Sequence, residues 1–592
     1  MQPSDYRHPP LHQTSLAAKR DKAKALVALG LAFPFAISFA AAADVCGTPP
    51  NVGNDNLKYV QYLLSKPQDS PGCSMKVVNG RLVIQEPTTN PALSCPDMFA
   101  WKLFSESVTA EFWKGWAADQ ETWPGNGFAN DPGLPLPLCA KGKPNSACCN
   151  PDGAVNPGYD DPAYKAKACP YFPGDHVTPA DTGMPERIGV VPSKAHTFSF
   201  ATSPRARDVL ARDAALLRQM STAPDQTQGR KIRQSMAEVV FRNKKFFEFV
   251  FRNDLYNQEG IIKVFKANSD NIRTSSPYRI SNETGSLSEI VFPADAVMIK
   301  SDWLNKERAI EMGIQDDPTH PYIKMNITSP VTDNNGTILQ PGEHWLVGLH
   351  ISSKDIPNWV WATFEHVNNP GRCDYTGCSD SFGYDTSDNV SQGQARNYTR
   401  PHQICDNLPL PSFVLDLGKS YQAGSRRSLL TSIFNDLGIG TKENTTLVPG
   451  RADRAWLSYQ LKGTQVDFTD SIGRPTHLGN SVTEGGFVST SSCMTCHARS
   501  GATLTGTIPP ALGVFENGIT DSGYLPSSFG IPIPDWYNRS GQPPTLQVLQ
   551  TDFVWGFLAA NSTKPPSAAV MSLRRTLPAR APIASVRQRA LE

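Results

Sequence analysis

The sequence has no excess of either charge. Its 592 residues include 56 lysines and arginines and 55 aspartates and glutamates, which gives a formal net charge of +1. A balance this close to neutral provides no electrostatic basis for binding nucleic acid or an anionic membrane surface. We therefore expect no nucleic-acid partner.

Several common catalytic motifs are also missing. The chain contains no Gly-x-Ser-x-Gly elbow, no phosphate-binding P-loop and no His-Glu-x-x-His zinc motif. Asp316, Asp317 and His320 could supply metal ligands, but such a cluster is more typical of a solvated turn. The sequence thus identifies no hydrolytic or phosphoryl-transfer centre.

Long apolar runs are absent except near the N-terminus. Basic residues between positions 19 and 24 precede an apolar run from 25 to about 40, and alanines at 41–43 offer small side chains for cleavage. This arrangement predicts a signal peptide over residues 1–43, with an uncleaved anchor as the alternative. No other stretch approaches the roughly 18 apolar residues of a spanning helix. We therefore expect a periplasmic or secreted protein with no integral membrane span after signal cleavage.

Cysteine is frequent enough to form several disulfides. Ten of the 12 cysteines lie outside the motif described below, and this even number could pair in an oxidising compartment. Cys148 and Cys149 are adjacent, and because a ring between neighbours is strained, we expect each to bond another partner. Seven of the ten precede residue 170, so complete pairing requires at least one bridge to the later group. The ten are Cys46, Cys73, Cys95, Cys139, Cys148, Cys149, Cys169, Cys373, Cys378 and Cys405.

The most informative stretch, residues 491–499, reads Ser-Ser-Cys-Met-Thr-Cys-His-Ala-Arg and contains Cys-x-x-Cys-His. Two cysteines three positions apart on a helical turn can both bond the vinyl groups along one edge of a haem, and the histidine then lies beneath the iron. Composition alone would place this pattern roughly 0.005 times in a chain of this length. The motif predicts one covalent haem c, held by Cys493 and Cys496, with His497 as an axial iron ligand.

Three other structures use closely spaced cysteines. A thioredoxin-like redox pair should follow a buried strand and open a helix in a βαβ unit, but residues 485–490 form a weak strand that enters a serine-rich turn. A zinc site needs further nearby cysteine or histidine ligands, and no histidine follows His497. A structural disulfide between Cys493 and Cys496 is the third alternative.

The motif does not identify the second axial ligand. After His497 the chain has one methionine, Met571, just before an arginine- and proline-rich tail. Small cytochromes usually place a methionine ligand in an ordered loop. Met571 is therefore a candidate that its surroundings do not favour.

Two histidines in predicted strands are alternatives to Met571. With a turn centred near Asp355, antiparallel pairing would set His344 opposite His366 and His350 opposite Val360. A histidine in a strand is more often a hydrogen-bonded polar residue than a ligand, but one face could then carry two histidines. His350 or His366 is thus a candidate second ligand, and a vacant sixth position is the remaining choice.

Apolar periodicity locates individual elements. Spacings of three and four predict helices that begin at Pro96 and at Ser203, and a third over about 228–252 that is ended by Asn253 and Asp254. From about 261 to 468 the period changes to two, which is typical of strands. The predicted strands cover 290–292, 296–300, 322–328, 344–352, 359–366 and 455–461.

Composition and periodicity together divide the chain into five regions. These are a signal peptide (1–43), a cysteine- and proline-rich loop and helix region (44–230), a β-rich core (231–480), a c-type haem segment (481–563) and a disordered tail (564–592). They predict an α+β fold whose core is mainly β, as a sandwich or open barrel. A few helices, long disulfide-pinned loops and the C-terminal haem-attachment segment complete the expected architecture.

Several segments resemble large exported bacterial proteins of the cytochrome c family, a largely uncharacterised group. The segments are Val347–Ile351, Trp361–His366, Cys493–Ala498, Asp552–Trp555 and residues 238–257. The resemblance covers roughly residues 95–560. It implies export and a c-type haem on Cys493, Cys496 and His497, and it implies no particular substrate.

These observations leave three functional hypotheses. The first is electron transfer between the haem and a periplasmic redox partner protein. The length of chain before the motif exceeds what that role needs, which motivates a haem-dependent oxidoreductase, oxidase or peroxidase-like, with substrate bound in the β-rich region. In that hypothesis His350, Trp361, Glu365 and His366 line the site, and a histidine or glutamate moves protons. The third is a binding or assembly protein with a structural haem.

Overall fold

The residues that the computed structural model describes all lie within Asp44–Glu592. The predicted signal peptide, the helix predicted from Ser203 and the tail after Lys564, which contains Met571, lie outside the described residues. The described residues are 69, 72–85, 90–124, 134–153, 156, 168–175, 227–274, 287–314, 316–327, 331–332, 338–339, 341–369, 378–382, 398–399, 425–443, 447, 449–469, 476, 478–485, 488, 491–504, 532, 537–539 and 541–564.

Strands in this part of the chain are mostly short, with a few longer ones in the centre. They are β1 (Ser74–Val78), β2 (Arg81–Gln85), β3 (Met236–Arg242), β4 (Val297–Asn305), β5 (Lys324–Ile327), β6 (Val331–Thr332), β7 (Ile338–Leu339), β8 (Gly342–Ser353), β9 (Val360–His366), β10 (Cys378–Ser379), β11 (Tyr398–Thr399), β12 (Tyr459–Gln465), β13 (Gly501–Ala502), β14 (Asn538–Arg539), β15 (Thr545–Leu546) and β16 (Leu549–Gln550).

Helices flank these strands. They are α1 (Pro91–Ser94), α2 (Pro96–Thr109), α3 (Phe112–Gly115), α4 (Asp119–Thr122), α5 (Thr227–Ser235), α6 (Lys244–Arg252), α7 (Gln258–Thr274), α8 (Lys306–Glu311), α9 (Ser425–Leu437) and α10 (Cys493–Ala498). Short 3-10 helices cover Pro173–Asp175, Arg454–Ser458 and Trp555–Ala559.

Six of the strands form one open antiparallel sheet. Its order is β3, β4, β8, β9, β12, and β5 pairs with the first residues of β8. The α+β prediction with a mainly antiparallel β core is therefore confirmed. No barrel forms among the described strands, so that alternative is wrong. Helices, rather than a second large sheet, cover this sheet where the structure describes its surroundings.

The two faces of the sheet bury different side chains. On the first face α2 packs against β9 and β12, because its apolar stripe meets the apolar residues of the sheet. That face contributes Ala237, Val239, Phe241, Ile299, Leu349, Ile351, Ala362, Phe364 and Leu461 to one hydrophobic core. On the second face Val240, Met298 and Trp361 pack with α6 and with the Cys-x-x-Cys-His motif.

The helix predicted from Pro96 is confirmed, but the one predicted over 228–252 is wrong as a single element. The structure divides it into α5, the edge strand β3 and α6, although the predicted stop at Asn253 and Asp254 is correct. β3 carries buried apolar residues on both faces, and such a stretch fits a period of 3.6 as well as a period of two. The stretch forms a strand because it pairs with β4 over its whole length.

Among the described residues before position 170, three disulfides pin the chain. They join Cys73 to Cys95, Cys139 to Cys148 and Cys149 to Cys169. The expectation that Cys148 and Cys149 bond different partners is thus confirmed. Cys378 is also disulfide-bonded, while Cys46, Cys373 and Cys405 lie outside the described residues.

None of the helices that the structure describes combines the length and the apolar character needed to cross a membrane.

Candidate functional site

The Cys-x-x-Cys-His motif forms a short helix, α10, which we call the attachment helix. Ser492 caps it, because its hydroxyl accepts a hydrogen bond from the backbone N–H of Thr495 at 3.3 Å. Helical spacing places Cys493, Cys496 and His497 on one side at i, i+3 and i+4. This is the arrangement that attachment of one porphyrin edge requires.

The two motif cysteines are not joined to each other. Neither is in a disulfide; Cys493 is buried and Cys496 is partly exposed. Burial raises the pKa of the Cys493 thiol well above its usual value, with Glu484 adding to the effect. A catalytic redox cysteine needs a lowered pKa. The geometry therefore favours neither a structural disulfide nor a thioredoxin-like pair.

His497 is held in one orientation by two contacts. Its Nδ1 atom lies 2.7 Å from the carbonyl oxygen of Phe553. Because a carbonyl can only accept, Nδ1 carries a proton, and in the neutral ring Nε2 is then the basic nitrogen. The His497 ring also packs against the Trp361 indole, with ring centroids 4.3 Å apart. An imidazole whose Nδ1–H donates to a carbonyl is oriented and made more basic for metal ligation at Nε2.

His350 lies on β8, on the sheet face that the attachment helix covers. It is 9% exposed, and its Nε2 makes no hydrogen bond within the described residues. Burial lowers the pKa of this imidazole, and the charge of Lys300 lowers it further. His350 is therefore neutral at physiological pH, and neutral imidazole is the form that binds a metal.

His350 belongs to a group of ionisable side chains on the second face, which we call the buried polar cluster. Its members are Glu238, Lys300, Asp302, His350, Glu365, Lys462 and Glu484. Lys300 Nζ lies 2.8 Å from Glu238, and Lys462 Nζ lies 3.5 Å from Glu365. Burial raises the pKa values of Asp302 and Glu484 to about 7. Two acids in this cluster can thus hold protons near neutral pH.

The segment 478–485 seals the cluster against solvent. Ser481 donates two hydrogen bonds to the Glu365 carboxylate, one from its N–H at 2.7 Å and one from its hydroxyl. The Thr483 hydroxyl donates to Asp302. Asn480 Nδ2 donates to the Thr363 hydroxyl at 2.9 Å. The segment therefore satisfies several buried oxygens of the sheet just before the chain enters the attachment helix.

The predicted pairing of the histidines is wrong. In the sheet His350 lies opposite Thr363, His344 opposite Met325 and Asn305, and His366 opposite Tyr459. The pairing is shifted by three positions because β9 begins at Val360 and a longer connection precedes it. The structure therefore does not set His344 opposite His366.

His366 differs from His350 in its surroundings, because both of its ring nitrogens make hydrogen bonds. Its Nε2 lies 3.2 Å from the Pro321 carbonyl, and its Nδ1 accepts the N–H of Asn368 at 3.2 Å. The ring stacks on Tyr322 with centroids 3.5 Å apart. Because both nitrogens of the His366 ring are engaged, His350 is the better suited of the two histidines to act as a metal ligand. Met571 lies outside the described residues.

A cavity of about 530 Å³ adjoins the attachment helix. Its lining includes Ala498 of that helix, Phe553, Phe468, Tyr537 and Asp467. This volume lies within the roughly 300–1,000 Å³ range of small-molecule sites, which are mostly apolar with a few polar groups. Apolar space therefore borders the residue whose carbonyl orients His497.

These groups meet the needs of a c-type haem. The attachment helix would supply two thiols that are not in a disulfide for thioether bonds, and an imidazole whose Nδ1 faces a carbonyl oxygen. His350 offers a buried neutral nitrogen on the covered face. Within the described residues no group of three or more histidine, cysteine, aspartate or glutamate side chains could hold a bare metal ion. A haem needs one or two protein ligands besides its own nitrogens, and the donor set fits that need.

No local sequence pattern marks the residues that surround His497. Phe553 acts through its backbone carbonyl, which no side-chain pattern reveals. Asp302 and Thr483 are 181 positions apart, and only the strand register brings them together. Trp361 was named as a candidate substrate contact, whereas the structure places it against the His497 ring.

Comparison with known proteins finds no match for this chain, neither to a protein-family model nor to a curated protein nor to a solved structure.

Proposed function

We propose that this protein is an exported single-haem c-type cytochrome that exchanges electrons with a redox partner protein. The observation that carries the proposal is the orientation of His497, whose Nδ1 lies 2.7 Å from the Phe553 carbonyl beside two cysteines that are not in a disulfide. A structural histidine needs no such tautomer, but an axial ligand uses it. The three disulfides support an oxidising compartment.

In this proposal Cys493 and Cys496 would bond one haem c, and His497 would ligate its iron. The haem supplies one-electron chemistry, with a potential set by its axial ligands and by burial. The chain's own contribution is to hold the His497 imidazole in one orientation. Trp361, 2% exposed, excludes water from one side of the His497 ring.

We further propose His350 as the second axial ligand. Its Nε2 is buried without a hydrogen-bond partner among the described side chains, which costs about 1–3 kcal/mol for a group left unsatisfied. Ligation would remove that cost. His366, with both nitrogens hydrogen-bonded, offers no such gain.

Optical and EPR spectra of the ferric protein test this proposal. Two imidazole ligands predict a low-spin spectrum that does not change when small ligands such as cyanide or azide are added at low concentration. A high-spin spectrum with rapid ligand binding would contradict electron transfer as the main role. Reduction by a small cytochrome or other electron donor should then be fast and reversible, without consumption of peroxide.

A second candidate function is a haem-dependent oxidoreductase, oxidase or peroxidase-like. The buried pair of His350 and Glu484 favours it, because the two nearest atoms are 3.6 Å apart and the pKa of Glu484 is about 7. An acid with a pKa near the working pH can move a proton efficiently. In this case His350 is a proton carrier rather than a ligand, and the ferric spectrum is high-spin.

A further inference from the structure

We propose that Asp552 is a positioning residue for His497. Its carboxylate holds the backbone at Asp552 and Phe553, which we call the corner. The Phe553 carbonyl in this corner fixes the tautomer and orientation of the His497 ring. The link from ring orientation to haem properties rests on the proposed function. The link from Asp552 to the ring itself is a property of this chain alone.

The corner consists of two consecutive residues in an unfavourable backbone conformation. Asp552 has φ 48° and Phe553 has φ 67°. Left-handed backbone is unfavourable for a residue with a side chain, and it persists only where the surroundings over-determine it. Two such residues in succession therefore require strong local contacts.

The Asp552 carboxylate supplies those contacts. Its Oδ2 accepts the backbone N–H of Phe292 at 2.6 Å, and its Oδ1 accepts Lys354 Nζ at 2.5 Å and Trp359 Nε1 at 3.3 Å. Asp552 is 4% exposed and Lys354 is 9% exposed. Three donors from two separate parts of the chain thus converge on one buried carboxylate.

The groups that bind the Asp552 carboxylate, and the backbone next to it, are held by further contacts. Lys354 Nζ also donates to the Pro357 carbonyl at 2.7 Å. Trp359 has φ 62°, so the connection before β9 is bent where its indole reaches the carboxylate. On the other side of the corner, the Thr551 hydroxyl donates to the Val554 carbonyl at 3.0 Å. The Phe553 peptide is therefore fixed from both directions.

A change in the orientation of the Phe553 carbonyl would alter the hydrogen bonding of the His497 ring. If the Phe553 carbonyl rotates away, Nδ1 loses its acceptor and the imidazole can exchange its tautomer. The other tautomer carries its proton on Nε2, the nitrogen that must bind iron. A weaker hydrogen bond at Nδ1 also makes the ring a poorer donor, which favours the ferrous state.

The first test uses the full-length chain without haem, with 15N-labelled histidine side chains. The His497 signals are assigned by their loss in His497→Gln. The proposal predicts that the wild-type ring is in the Nδ1–H tautomer and that Asp552→Asn, which keeps the shape but removes the charge, gives a mixture of tautomers. A wild-type ring in the Nε2–H tautomer, or an unchanged tautomer in folded Asp552→Asn, would overturn it.

Two variants guard against a loss of folding and against a simple charge effect. Trp359→Phe removes only one of the three donors and should give a smaller fraction of the Nε2–H tautomer than Asp552→Asn does. This variant tests the proposal if Asp552→Asn does not fold. Asp467→Asn removes a carboxylate at the adjacent cavity without touching the corner and should leave the tautomer unchanged.

The second test uses the haem-loaded protein. Asp552→Asn should shift the reduction potential upward more than Asp467→Asn does. Equal shifts in the two variants would indicate lost charge rather than lost positioning and would overturn the link to haem properties. If no haem is attached at all, the proposed function fails, while the tautomer measurement still decides the role of Asp552.

Discussion

His350 Nε2 lies 3.6 Å from Glu484 Oε2 inside the molecule, beyond hydrogen-bonding distance. The imidazole is neutral because burial and the nearby charge of Lys300 lower its pKa. A buried neutral nitrogen next to an acid, on the face that carries the attachment helix, can bind iron or carry a proton. The variants below distinguish these uses.

His350→Ala should convert the ferric spectrum from low-spin to high-spin, because the iron loses its second protein ligand. His350→Met should retain a low-spin spectrum and raise the reduction potential, since a thioether ligand favours the ferrous state. His366→Ala is the matched control and should leave the spectrum unchanged. A low-spin spectrum in His350→Ala would exclude His350 as the ligand.

The free energy of unfolding should fall as the pH rises, in part because of Asp380. This side chain is fully buried and accepts hydrogen bonds from Trp101 Nε1 and from the backbone N–H of Phe382. Burial raises its pKa to about 7. The folded state therefore binds a proton that the unfolded state has lost, and this contribution is present below about pH 4 and disappears through about pH 7.

Asp380→Asn should flatten that dependence, because the amide keeps an acceptor oxygen and cannot ionise. We expect equal stability near pH 4 and a gain of up to about 4 kcal/mol relative to wild type at pH 8, measured by urea unfolding. Asp270→Asn, at a side chain 65% exposed, controls for the loss of a surface charge. If the difference in unfolding free energy between Asp380→Asn and wild type were the same at pH 4 and pH 8, the ionisation of Asp380 would not cause the pH dependence.

Removal of the disulfide between Cys73 and Cys95 should lower the free energy of unfolding by about 3 kcal/mol, since it closes a loop of 22 positions in the unfolded chain. Cys73→Ala with Cys95→Ala tests this by urea unfolding. Removing the bridge between Cys139 and Cys148, which closes only nine positions, should cost less. The opposite order of the two losses would be inconsistent with this expectation.

The sequence was most informative where a local pattern has a single physical meaning. The helix from Pro96 follows from a proline start and a stripe of apolar residues, and the structure confirms it. Adjacent Cys148 and Cys149 had to bond different partners because of ring strain, and they do. The spacing of Cys493, Cys496 and His497 likewise predicted their shared side of one helix.

Prediction failed where distant parts of the chain decide the outcome. β3 was expected to be helical because its apolar residues suit either period, and β4 selects the strand. The pairing of His350 was displaced because Trp359 leaves the strand with φ 62° to reach Asp552, almost two hundred positions away. No sequence pattern reveals such a contact, and for the same reason the Phe553 carbonyl was missed.

The most direct measurement is the mass and absorption spectrum of denatured protein that has been produced in a host able to attach haem c. Thioether bonds survive denaturation, so we predict one haem per chain, a Soret band that remains with the polypeptide, and loss of both in Cys493→Ala with Cys496→Ala. Wild-type protein with the mass of the bare polypeptide and no Soret absorption would contradict the central claim.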